Sequence, residues 1–124
     1  MSKYHNRKIT RNGEVYDSVE EYRRFVELSL LQKAGAIKDL KRQVKFVLIP
    51  AQYEFIERYS EKTGKRLKDK CVLLEKECAY FADFVYETAS GRVVVEDTKG
   101  MKTKDYIIKR KLMLWVHGIK IQEV

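Results

Sequence analysis

The chain has 124 residues, 44% of them hydrophobic and 35% charged, and its 26 Lys and Arg against 18 Asp and Glu leave a net charge of +8. That length fits one domain of four or five strands and two helices, and the basic balance favours a polyanionic partner such as nucleic acid over acidic small molecules. No window nears 18 consecutive apolar residues and the N-terminus lacks an apolar run, so neither a membrane span nor a signal peptide is expected, and the protein is read as cytoplasmic.

Residues 1–11 carry Lys3, His5, Arg7, Lys8 and Arg11 and read as a basic arm, able to lie along a phosphate backbone. Asn12-Gly13, inside Ile9 to Tyr16, is the preferred pair for a type I′ turn and predicts a two-stranded flap. Ser18 with Glu21 three residues later is a capping box that opens a helix. Tyr22, Phe25, Val26, Leu28, Leu30 and Leu31 carry the helix to about Ala34, and Gly35 ends it. Glu21 has two readings: its carboxylate folds back on the Ser18 amide, or, sharing a face with Phe25 and Leu28, it looks inward toward a sheet.

Ile37 to Leu40 reads as a connection and Lys41 to Pro50 as a strand, with Val44, Phe46 and Leu48 on one face and Gln43, Lys45 and Val47 on the other. Residues 51–70, with the basic turn Lys62-Thr63-Gly64-Lys65-Arg66, read as a surface insertion, a hairpin or a short helix. Cys71 and Cys78 are too few and too far from either histidine for a zinc site and read as packing residues. A second strand is predicted from about Glu77 to Glu87, a turn at Ala89-Ser90-Gly91, and a third strand over Arg92 to Lys99. Thr103 to His117 has helical spacing ended by Gly118, and Ile119 to Val124 alternates as a last strand.

Asp83 is the single carboxylate in the apolar run Ala79 to Tyr86, where an acid costs several kcal/mol, on the order of 2–7, unless something compensates it. By strand alternation Asp97 and Lys99 point to one face and Glu96 to the other. Two strand carboxylates and a lysine at this spacing could hold a divalent metal beside a phosphate; an ion pair of Asp83 or Asp97 with Lys99 at the sheet rim is the plain alternative.

Tyr16-Asp17-Ser18-x-x-Glu21, Gln43-x-Lys45-Phe46, Ala82-Asp83-Phe84, Glu96-Asp97-x-Lys99-Gly100 and Lys109-Arg110-Lys111-Leu112, in the order helix, three strands, helix, strand, resemble the PD-(D/E)xK nuclease superfamily. Within it the chain looks most like a small phage-borne family, and it is similar to Holliday-junction resolvases and to nuclease subunits that cut transposon ends. Ala82 stands where the motif has proline. The resemblance implies an α/β, restriction-endonuclease-like αβββαβ core, a mixed sheet flanked by helices, spanning 1–124 as a single domain. It implies a Mg²⁺-dependent (or Mn²⁺-dependent) DNA endonuclease acting on branched or recombining DNA, in the bacterial host cytoplasm if phage-encoded; a non-catalytic nucleic-acid-binding module is the alternative. Glu21, Asp83 and Asp97 match the metal ligands and Lys99 the motif lysine. Lys102, Lys104, Lys109, Arg110 and Lys111 cluster near the strand mouth as DNA contacts, with Gln43 and Tyr106 facing the same surface; Tyr106 at helical spacing also fits a core position. A homodimer with two sites is expected by symmetry.

Overall fold

The computed structural model describes residues 7–98 and 100–124. The first six residues of the basic arm, and Lys99, lie outside the described residues. Ile9–Arg11 (β1) and Glu14–Tyr16 (β2) form the antiparallel flap, with Asn12 and Gly13 both at positive φ, 52° and 80°, as a type I′ turn requires.

The first helix, α1, spans Val19–Lys33. Ser18 caps it by accepting from the Glu21 backbone N–H at 3.1 Å, and Ala34 and the positive-φ Gly35 end it. The capping box closes one residue earlier than expected: Glu21 Oε2 accepts from the Asp17 N–H at 2.7 Å. Ser18→Ala removes one of the helix-start acceptors, and we expect a loss of about 1 kcal/mol in a urea unfolding titration.

A four-stranded mixed sheet carries the main body, ordered β3 (Ile37–Ile49), β6 (Cys78–Thr88), β7 (Val93–Asp97), β8 (Gln122–Glu123). β6 and β7 are antiparallel, paired Phe84↔Glu96 through Glu87↔Val93, whereas β7 and β8 are parallel. The second helix, α2 (Lys104–His117), connects those parallel strands; Thr103 caps its start and Gly118, at φ 67°, its end. The sheet face bearing Phe84, Tyr86 and Val94 packs with Leu28 and Ile37, and Phe25 and Leu40 complete that cluster. The Phe25 and Phe84 rings stack at 6.4 Å.

Four boundaries differ from the sequence reading. Ile37 to Leu40 is strand, not connection, because Ile37 and Leu40 pack into that cluster. The third strand stops at Asp97, and the last is only Gln122–Glu123, paired with Glu96 and Asp97. The insertion is a hairpin longer than residues 51–70: β4 (Gln52–Tyr59) pairs antiparallel with β5 (Arg66–Glu75). The chain divides into two compact units, residues 47–79 with this hairpin and the remainder with the mixed sheet. Cys71 is exposed on the hairpin rather than packed, and Cys78 is half-buried. Among the described residues no helix is long and apolar enough to cross a membrane.

Candidate metal and phosphate site

Three carboxylates meet beside the start of α1. One oxygen each from Asp17, Glu21 and Asp83 lies within 4.8 Å of the other two. Asp17 precedes the helix cap, Glu21 sits in its first turn, and Asp83 comes from mid-β6. Glu21 is 1% exposed and looks inward, and its carboxylate folds back on the Asp17 N–H rather than on the Ser18 amide.

A strand residue holds the group in place. Gln43 Nε2 donates to Glu21 Oε1 at 2.8 Å and to Asp83 Oδ1 at 3.3 Å. Gln43 has a φ of 50°, the left-handed region that costs a non-glycine residue of order 1 kcal/mol or more, and this bend within β3 aims the amide at the two acids. Asp83 Oδ2 accepts from both the backbone N–H and the hydroxyl of Thr98, each at 2.8 Å. Arg42 lies 3.7 Å from Glu21 Oε1 and offsets part of the negative charge, while its guanidinium sits 3.8 Å from the centre of the Tyr16 ring.

The Glu21 carboxyl is pushed above the ordinary glutamate range, first by burial and then by the charge of Asp83, against the opposing bonds from Asp17 and Gln43. Between the unfolded and the raised folded pKa, the folded chain keeps a proton that the unfolded chain has released. Stability from this group is therefore lost as pH rises through that window and is level above it. In the presence of a chelator, urea midpoints measured across the acid range should fall more steeply with rising pH for the wild type than for Glu21→Gln.

Asp97 stands outside the trio. It is 1% exposed, follows Glu96 on β7, and accepts from the Tyr80 hydroxyl at 2.6 Å. Burial, and then the bond to Asp97, raises the Tyr80 pKa, so this phenol stays a donor. β6–β7 pairing ends at Phe84↔Glu96, one step before Asp83 and Asp97, so the two acids lie on adjacent strands where the ladder opens. Glu96 points to the other face, as alternation requires: it takes Arg24 Nε at 2.8 Å and Nη2 at 2.7 Å and accepts from the Tyr86 hydroxyl.

The basic residues divide. Lys109 is half-buried and, with Asp17, Gln43, Asp83 and Asp105, lines a cleft of about 280 Å³. Lys104 and Lys111 are exposed. Lys102 Nζ and Arg110 Nη1 lie 3.5 Å and 3.4 Å from Glu123. Tyr106 is 4% exposed, its hydroxyl donates to Glu123 at 2.9 Å, and its ring lies 6.4 Å from that of Tyr80. The ring thus takes the core position that its helical spacing allows, while bordering the same cleft as Lys109.

Asp17 and Thr98 were not among the predicted site residues. The sequence signal for Asp17 was its place immediately before a helix cap, from which a side chain reaches the first turn; Thr98 has no signal beyond its seat between Asp97 and Lys99.

Fold and site together define an α/β domain with a mixed sheet and two helices, in which acids from a helix start and a sheet strand converge at a cleft. The chain belongs to the family described as "Protein of unknown function (DUF1064)", whose pattern matches residues 1–120. No curated protein and no solved structure matches it.

Proposed function

We propose that this protein is a metal-dependent DNA endonuclease built on a restriction-endonuclease-like core, acting on branched or recombining DNA. The observation that carries the reading is the convergence of Glu21, on the leading helix, with Asp83, on the sheet, at a cleft that also presents a lysine. Hard carboxylate oxygens in one place suit Mg²⁺ or Mn²⁺, and a divalent cation would offset both the desolvation of Glu21 and its repulsion by Asp83. Glu21, Asp83 and Asp97 would hold the ion, with Asp17 beside them. When bound, the ion supplies Lewis-acid polarisation of a phosphodiester and lowers the pKa of water.

The chain's own groups do the rest. Gln43 and Thr98 hold Glu21 and Asp83 in position by the bonds described above. Lys99, the motif lysine of the resemblance, orients the attacking water, and the products carry a 5′-phosphate and a 3′-hydroxyl. Lys109, together with Lys104 and Lys111, meets phosphates flanking the cut, and such contacts give affinity without sequence readout.

Supercoiled, linear and four-way-junction DNA incubated with Mg²⁺ or Mn²⁺ test this reading, with Asp97→Ala as the control. Cleavage that needs the metal and is lost in the variant supports it, with the junction cut fastest. Binding without cutting by the wild type would make the protein a nucleic-acid-binding module instead.

A further inference from the structure

The two strands of the β4–β5 hairpin carry an apolar block open to solvent. Tyr53 pairs with Leu73 and Phe55 with Cys71, so all four side chains stand on one face as direct cross-strand and along-strand neighbours. Tyr53 is 54% exposed, Phe55 69% and Leu73 46%, and Cys71 is also exposed. A hairpin of two strands alone is marginally stable in water, and a contiguous apolar face of this kind marks an interaction surface. We propose that this face is where a second copy of the chain docks, the two hairpins packing face to face about a two-fold axis.

Charge selects that occupant. Residues 47–79 hold seven Lys and Arg against six Asp and Glu, a net of +1, so +7 of the chain's +8 belongs to the other unit. Nucleic acid is drawn to the strongly basic unit, whereas two copies of so basic a protein approach each other with least repulsion through the near-neutral hairpin. Its charges are also partly spent internally: Arg66 lies 3.1 Å from Asp69 and 3.7 Å from Glu57. An apolar block is complementary to itself, which an isologous contact requires.

The area is of the right order. Tyr53, Phe55, Cys71 and Leu73 make up this face, since Ile56 and Leu74 alternate to the other side of the hairpin. Aromatic side chains bury about 150–250 Å² each, and half-exposed side chains in this number offer several hundred Å² per copy. A standard interface takes about 800 Å² per partner. The inference is independent of the proposed cleavage, since no residue of the acid cluster enters it.

Sedimentation equilibrium from micromolar to submillimolar protein tests it, on the wild type, Phe55→Glu and Leu73→Glu, with far-ultraviolet circular dichroism to confirm folding and DNA-binding titrations alongside. The expected result is a reversible wild-type dimer whose dissociation constant rises about tenfold or more in each variant, with unchanged spectra and unchanged DNA affinity. A wild type that stays monomeric throughout, a dimer indifferent to both substitutions, or variants that lose DNA affinity without a change in mass each overturn it. A second readout needs no substitution: alkylation of Cys71, followed by peptide mass spectrometry, should slow as wild-type concentration rises. A rate independent of concentration contradicts the proposal even if the variants fail to fold.

Discussion

Asp83→Asn should lower metal-dependent cleavage on the order of a thousandfold, the effect of losing about 4 kcal/mol of transition-state stabilisation. Asparagine keeps the shape of the side chain and one oxygen that can still accept from the Thr98 N–H and hydroxyl. It removes one charge from a trio whose oxygens lie within 4.8 Å of one another, together with the long 3.3 Å bond that Oδ1 accepts from Gln43. The fold should therefore survive: the charge of Asp83 is among the causes that raise the Glu21 pKa, so its removal relieves strain in the metal-free protein. The expected signature is a loss of initial rate with an equal or higher urea midpoint in chelator. Undiminished cleavage by a folded Asp83→Asn protein would remove Asp83 from the ligand set.

The second large effect lies on the opposite face of the sheet. Arg24→Leu should cost about 3–5 kcal/mol of stability, the range for stripping a buried charge of its partner. Against a total of roughly 5–15 kcal/mol for a domain of this size, that leaves the fold marginal. Glu96 is fully buried, and its carboxylate is held by two guanidinium bonds and the Tyr86 hydroxyl. The hydrogen bond to Glu96 raises the Arg24 pKa further, and burial followed by the same carboxylate pushes Tyr86 up to about 12. The double variant Arg24→Leu/Glu96→Leu removes both charges and should recover most of the loss, because an apolar pair of similar volume replaces a buried ion pair at little cost. Chemical denaturation of the two single variants and the double closes the cycle; equal destabilisation of the single and double variants would mean that packing of the Arg24 stem, not its charge, carries the effect.

The face proposed to bind metal and the face that closes the ion pair thus alternate along one short strand. Glu96 and Asp97 are neighbours in sequence, both buried, and serve different surroundings: one closes an ion pair with α1, the other meets Tyr80 where the ladder opens. Acids are tolerated side by side here because each has its own donors.

The sequence by itself determined the elements whose causes are local. The Asn12-Gly13 turn, the Ser18 cap, the Gly35 and Gly118 stops and the apolar periods of both helices need only neighbours a few residues away, and the structure has them where the chain signals them. The alternation along Val93 to Asp97 likewise sets Glu96 and Asp97 on opposite faces, since strand parity is a property of the backbone alone. Tertiary structure decided what depends on residues far apart in the chain. Ile37 to Leu40 became strand because a core cluster covers it; Gln43 turned to the acids through a positive φ that no alternation pattern predicts; Tyr106 was drawn inward by Tyr80 and Glu123. Asp17 joined Glu21 and Asp83 only because the helix start is laid against β6. The reason is physical: a turn or cap is set by bonds within one turn of chain, whereas a cluster of like charges exists only when packing elsewhere outweighs their repulsion, and that balance is struck by the whole fold.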